Sequence, residues 1–145
     1  MIFEQLITSF VATAAFGILF NAPRRYLIQC GFVGMMGWLL YILLLPDFNV
    51  VQATLAATFF VGLISIVFAK IYRTPVIIFS VSGIIPLVPG GLAYDAMRKF
   101  VENDYNTAIQ LAAKAFLISG SIAIGLVISE VLNQAVRKLS KKPHS

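Results

Sequence analysis

Residues 83–97, Gly-Ile-Ile-Pro-Leu-Val-Pro-Gly-Gly-Leu-Ala-Tyr-Asp-Ala-Met, place two prolines and a glycine pair where an apolar run should be crossing a membrane. A proline inside a helix removes one amide donor and crowds the carbonyl four residues earlier. Pro86 is therefore expected to free the carbonyl of Ser82, and Pro89 that of Ile85. In hydrocarbon such groups are costly unless they face protein, water or a ligand. An interrupted membrane helix is thus a candidate binding site on physical grounds alone.

The membrane assignment rests on composition. Of the 145 residues 59% are hydrophobic and 12% are charged, and the mean hydropathy is +0.90. A soluble domain carries about 45–50% apolar and about 25% charged residues. The shortage of charge decides the class: an all-α integral membrane protein with about five transmembrane helices of roughly 20 residues each. The net charge of +5 does not indicate nucleic acid, because the basic residues are split among short loops and a tail rather than interleaved with aromatics. The opening Met-Ile-Phe-Glu-Gln lacks a basic segment, so the first apolar run is expected to be a retained span, not a signal peptide.

The first span is expected at Ile2–Phe20, ending at Asn21-Ala22-Pro23-Arg24-Arg25, and the second at Leu27–Leu45, ending at the turn cluster Pro46-Asp47-Phe48-Asn49. The third covers Val51–Ala69, closed by Lys70 and Arg73. The fourth starts near Pro75, a favourable first helical position. The stretch from Pro75 to Val88 holds only 14 residues. It covers roughly 21 Å, short of a core about 30 Å thick. It can cross only by continuing beyond the break to Phe100, and a half-helix is expected to begin near Leu92. The fifth span is expected at Thr107–Leu132. Residues 1–135 form one transmembrane domain, and 136–145 a basic, disordered cytoplasmic tail that includes His144. Five spans with the N-terminus outside put Arg24, Arg25, Lys70, Arg73, Arg137, Lys138, Lys141 and Lys142 in the cytoplasm, leaving Arg98 and Lys99 outside. A re-entrant fourth segment would instead put the tail outside.

The break supplies the first candidate site: Pro86, Pro89, Gly90, Gly91, Leu92, Tyr94 and Asp95. Gly90 and Gly91 permit unusual backbone conformations and close approach by a ligand. Free amides at the start of the following half-helix suit a carboxylate, and freed carbonyls suit an ammonium group or cation. A packing kink is the structural alternative. Asp95 is placed to hold a proton or an ammonium, or else to pair with Arg98 or Lys99 at helical spacing. Gln5, Ser9, Thr13, Gly17 and Asn21 recur every fourth residue, a stripe that either lines a hydrophilic path (Ser9, Thr13, Asn21) or makes a close helix contact. Ser121, Gly125 and Ser129 form a similar stripe, as do Gly62, Ser65 and Ala69, and Gly31, Gly34 and Gly37 thin one side of the second span. Lys114 is expected to snorkel to the outer interface. Glu130, near the cytoplasmic end of the fifth span, is a second candidate for ion coupling. Cys30 is a lone cysteine in an apolar run, expected as a buried free thiol. No enzyme motif, metal-ligand cluster or cofactor signature is present.

The run Asn21-Ala22-Pro23-Arg24-Arg25, then Gly31-x-x-Gly34-x-x-Gly37-Trp38, then Ile85-Pro86-x-x-Pro89-Gly90-x-x-Ala93-Tyr94-x-Ala96-Met97 resembles the threonine/serine exporter (ThrE-like) family, most closely the small subunit of its two-component form. The resemblance spans Ile2 to Leu132. It implies proton-driven export of threonine or serine together with a larger membrane subunit, or, as in relatives of the split form, export of dicarboxylates such as succinate. By position Asn21, Pro23, Arg24, Pro86, Pro89, Gly90 and Tyr94 match its motifs, whereas Asp95 falls at a variable position. A homo-oligomer is also open, since 145 residues are few for a complete transporter. The alternative from another class is a non-transporting assembly or regulatory membrane subunit.

Overall fold

A computed structural model describes residues 1–141, and among these there are helices and no strand. Six α-helices follow one another: α1 (Ile2–Leu19), α2 (Leu27–Leu44), α3 (Val50–Tyr72), α4 (Ile77–Gly83), α5 (Gly90–Val101) and α6 (Tyr105–Ser140). Short 3-10 turns at Arg24–Tyr26 and Ile85–Leu87 lead into α2 and out of α4. Four helices are long and apolar enough to cross a membrane, and the pair Ile77–Leu87 and Gly90–Val101, bent by 50°, makes a fifth candidate span. Apolar side chains coat the outside, with Phe3 and Phe116 each 80% exposed. An apolar exterior over so many helices suits lipid, and the chain is a membrane protein.

Helix ends are fixed by local chemistry. Asn49 Oδ1 accepts from the Gln52 amide at 2.9 Å and starts α3, and Asp104 Oδ1 accepts from the Thr107 amide at 3.3 Å and starts α6. Positive φ values at Asn21, Arg73 and Asn103 turn the chain at three helix ends, two of them at asparagine, which tolerates this region best after glycine. Within the spans, the hydroxyls of Thr54, Thr58, Ser65 and Ser121 each donate to a carbonyl one turn back, at 2.7–2.9 Å. Ser129 donates to Leu126 at 2.7 Å. These five hydroxyls are thereby satisfied without water.

The small-residue stripes are helix contacts. Phe10 of α1 lies over Gly31 and Thr13 over Gly34, while Gly37 meets Val61 of α3. Gly62 receives Ser129 of α6, and a Cβ added at Gly125 would sit 3.0 Å from the Leu55 carbonyl and 3.1 Å from the Phe59 amide. Close backbone approach of this kind is how membrane helices gain packing energy without a hydrophobic driving force.

These contacts also fix direction. Gly125 opposes Thr58 and Ser129 opposes Gly62, so α6 runs parallel to α3. Cys30 contacts the Ile78 carbonyl and Gly83 packs on Val33, so α4 runs parallel to α2, against α3. The segment between α3 and α6 therefore carries the chain from the Tyr72 end back to the Val50 end. A re-entrant loop would have left α6 antiparallel to α3. Tyr26 packs on Tyr72 with ring centroids 5.4 Å apart, which puts Arg24 and Arg25 at the same end as Lys70 and Arg73. The parallel run of α6 brings Arg137 and Lys138 to that end too.

Three boundaries differ from expectation. The third helix runs on to Tyr72, and α5 begins at Gly90 rather than near Leu92. The last helix has 36 residues, about 54 Å at 1.5 Å each, and continues through residues 136–140, which were expected to be disordered. Ala135, Val136, Arg137, Lys138 and Leu139 include four of the best helix formers, and their charge does not interrupt the helix. Residues 142–145, with His144, lie outside the described residues.

Candidate functional site

The break differs from its sequence expectation in one physical respect: its carbonyls are not free. The amides at the end of α4 donate to the carbonyls of Ser80 and Ser82. Leu87 N–H donates to Ile84 at 2.9 Å and Val88 N–H to Ile85 at 3.3 Å. The chain tightens from α-helical to 3-10 pairing, and the acceptors lost to Pro86 and Pro89 find donors three residues on. A carbonyl site for an ammonium group is therefore not created by the prolines.

The amide side is different. Pro89 precedes α5 and supplies no side-chain cap. Gly90 N–H donates to Val88 at 2.8 Å, and the first helical bond runs from Ala93 N–H to Pro89 at 3.1 Å. The amides of Gly91 and Leu92 belong to the uncapped first turn, where the helix dipole favours negative charge. Neither glycine has a positive φ, and a Cβ at Gly90 or Gly91 would meet nothing within 4 Å. What the glycines leave here is open space, not strained backbone.

That space is a cavity of about 280 Å³. Pro86, Leu87, Val88, Pro89, Gly91 and Leu92 form one wall, α2 contributes Trp38 and Tyr41, α3 contributes Val50 and Thr54, and α6 contributes Lys114 and Ile118. Lys114 is exposed, close to the level where α3 begins. It is the charged member of the cavity wall, and it forms no ion pair among the described residues. Sequence spacing did not connect it to the break, since the contact depends on α6 running parallel to α3.

Tyr94 and Asp95 are not on that wall. Tyr94 is 68% exposed. Asp95 lies 3.9 Å from Arg98, within a chain of exposed ion pairs that continues through Glu102 to Lys99. The pairing alternative for Asp95 thus describes its surroundings.

Of the proposed path residues, Ser9 and Thr13 are buried against α2, while Asn21 is exposed in a left-handed turn beside a separate cavity of about 340 Å³ that also touches Ser82. The Thr13 hydroxyl is buried without a hydrogen-bond partner. Within this chain Ser9 and Thr13 are packed between helices, and of the three only Asn21 lines a cavity.

Glu130 occupies a position its sequence distance from the C-terminal charges disguised. Its neighbour Ser129 faces Gly62, the thirteenth of 23 residues in α3, so Glu130 lies near the middle of that span and not at its end. Glu130 lines a cavity of about 260 Å³ between α3, α4 and α6, together with Ser80 and Ser129. Its carboxylate also accepts from Gln134 at 3.4 Å. Cys30 is buried, a free thiol as expected.

Several parallel and antiparallel spans, one of them broken beside a half-open cavity, define a multi-span helical membrane protein. The family described as Threonine/Serine exporter, ThrE, matches residues 5–132, and the chain belongs to that family. No solved structure matches it.

Proposed function

We propose that this chain is a subunit of a secondary transporter that exports small carboxylate-bearing solutes, threonine or serine, across the bacterial inner membrane. The cavity at the break supports this reading most directly: the uncapped Gly91 and Leu92 amides share one wall with the solute space. Export is driven by the proton gradient, with Glu130 as the proton carrier, because an acidic side chain at mid-span is costly and characteristically marks an ion pathway. Asp95, paired and outside the cavity, takes no part in coupling. The basic ends of the helices face the cytoplasm, with the N-terminus outside. A larger membrane subunit of the same family, or a second copy, completes the path.

The test is efflux from proteoliposomes, with and without the larger subunit, comparing threonine, serine and succinate under an imposed pH gradient. Glu130→Gln is expected to cut gradient-driven efflux at least tenfold and remove its pH dependence, leaving assembly intact. Absence of gradient-dependent flux of all three solutes from a folded complex would sink the exporter reading.

A second reading, a non-transporting assembly subunit, draws on an apolar groove of about 460 Å³ between α5 and α6, floored by Ala93, Ala96, Ala108 and Ala112. It predicts that Glu130→Gln and Gly91→Leu both leave export by the complex unchanged.

A further inference from the structure

We infer that Lys114 is the residue that recognises the solute's negative charge: its ammonium pairs with a carboxylate held in the cavity under the helix break. The inference rests on the exporter reading for the identity of the solute, but not for the chemistry of the site.

Three observations converge on it. Lys114 and the break come from distant parts of the sequence, yet they line one cavity. Lys114 is its charged wall residue, and no acidic side chain lines that cavity to neutralise it. Lys114 also has no ion-pair partner among the described residues, while Asp95 on α5 and Glu102 just after it are each paired with Arg98. Lys114 is an exposed cation on an otherwise apolar stretch of α6 (Ala113, Ala115, Phe116 and Leu117), about one turn past the level where α3 begins, where its long stem lets the ammonium meet an anion without the cost of full burial.

The rest of the wall suits a compact organic anion rather than a metal or a large hydrophobe. Trp38 and Tyr41 line the cavity from α2, their rings 5.0 Å apart between centroids. The Trp38 indole N–H is engaged with Gln5 Oε1 at 3.4 Å, which holds the ring in place and ties α1 to the site. A volume of about 280 Å³ suits a solute of several heavy atoms. Lys114 therefore supplies charge selectivity, and the aromatic wall supplies fit.

The experiment compares a carboxylate with its neutral counterpart. The full-length chain, in lipid nanodiscs and with its partner where one co-purifies, is titrated calorimetrically with L-threonine, L-serine and succinate, and with L-threonine amide. The wild type is expected to bind at least one carboxylate tenfold or more tightly than the amide. Lys114→Met should bring that ratio close to one, and Lys114→Arg should keep most of it. Thermal unfolding of both variants checks that the fold is retained. An unchanged ratio in a folded Lys114→Met protein overturns the inference and makes Lys114 an interfacial anchor. So does a wild type that binds carboxylate and amide alike, or one that binds none of these solutes while export proceeds. A Lys114-dependent ratio in a protein that exports none of them supports the inference and overturns the exporter reading alone.

Discussion

The two halves of α6 pack in opposite ways. Its C-terminal half lies against α3 through Ser121, Gly125 and Ser129, so closely that the Gly125 position has no room for a methyl group beside the Leu55 carbonyl. Its N-terminal half faces α5 across alanines, and an open apolar groove remains there. In the register set by Gly125 and Ser129, roughly the first dozen residues of α6, about 18 Å of helix, extend past the first residue of α3. Small residues thus do two different jobs. Against backbone they permit contact; against another row of small residues they leave a gap.

The largest test of that difference is a paired substitution. Gly125→Leu would drive a branched side chain into the backbone of α3. It should cost about 1–3 kcal/mol or more and lower the thermal midpoint in detergent by several degrees. Ala112→Leu, a change smaller by one carbon in the groove, should stay within about 0.5 kcal/mol of wild type. Equal losses at both sites would erase the distinction.

A smaller effect, of opposite sign, is expected at the break. Gly90 has ordinary helical backbone and open space around its Cβ position, so Gly90→Ala should stabilise the protein by about 0.4–1 kcal/mol by restricting the unfolded chain. A drop in thermal midpoint would mean that Gly90 adopts another backbone conformation in the membrane.

The smallest effect is at the tip joining α5 to α6. Hydrogen bonds from Thr107, aided by the charge of Lys99, hold the Asp104 carboxyl below its usual value of 3.8. A carboxylate with a lowered folded value contributes stability above its unfolded value and loses it as the pH falls through the folded one. Hydrogen exchange at the first turn of α6 should therefore loosen only below pH 3.8, and Asp104→Asn should remove that pH dependence while keeping the cap. The α3–α6 contact should not respond.

Much of this was legible in the sequence, and for physical reasons. Apolar runs and their charged ends encode spans, and small residues at helical spacing encode close faces. Two prolines near Gly90 and Gly91 encode a break. Pairing at the break was not legible, because the proline rule says which bond is lost and not which shorter one replaces it. The depth of Glu130 and the placement of Lys114 were hidden for a different reason. Both depend on the relative direction of α3 and α6, which hydropathy does not carry. The charges of Arg137 and Lys138 suggested a loose tail, although these side chains favour helix as well as solvent.

The 3-10 turn before Pro89 has a mechanical consequence. The ladder of α4 and its turn ends with the Val88 amide, that of α5 begins at the Pro89 carbonyl, and one short bond from Gly90 to Val88 is all that bridges them. Apart from its packing on α6, swinging α5 about this joint would break one backbone hydrogen bond, about 1 kcal/mol, where bending an unbroken helix would break several. The 50° elbow is thus the point in the fourth crossing where the backbone itself resists bending least.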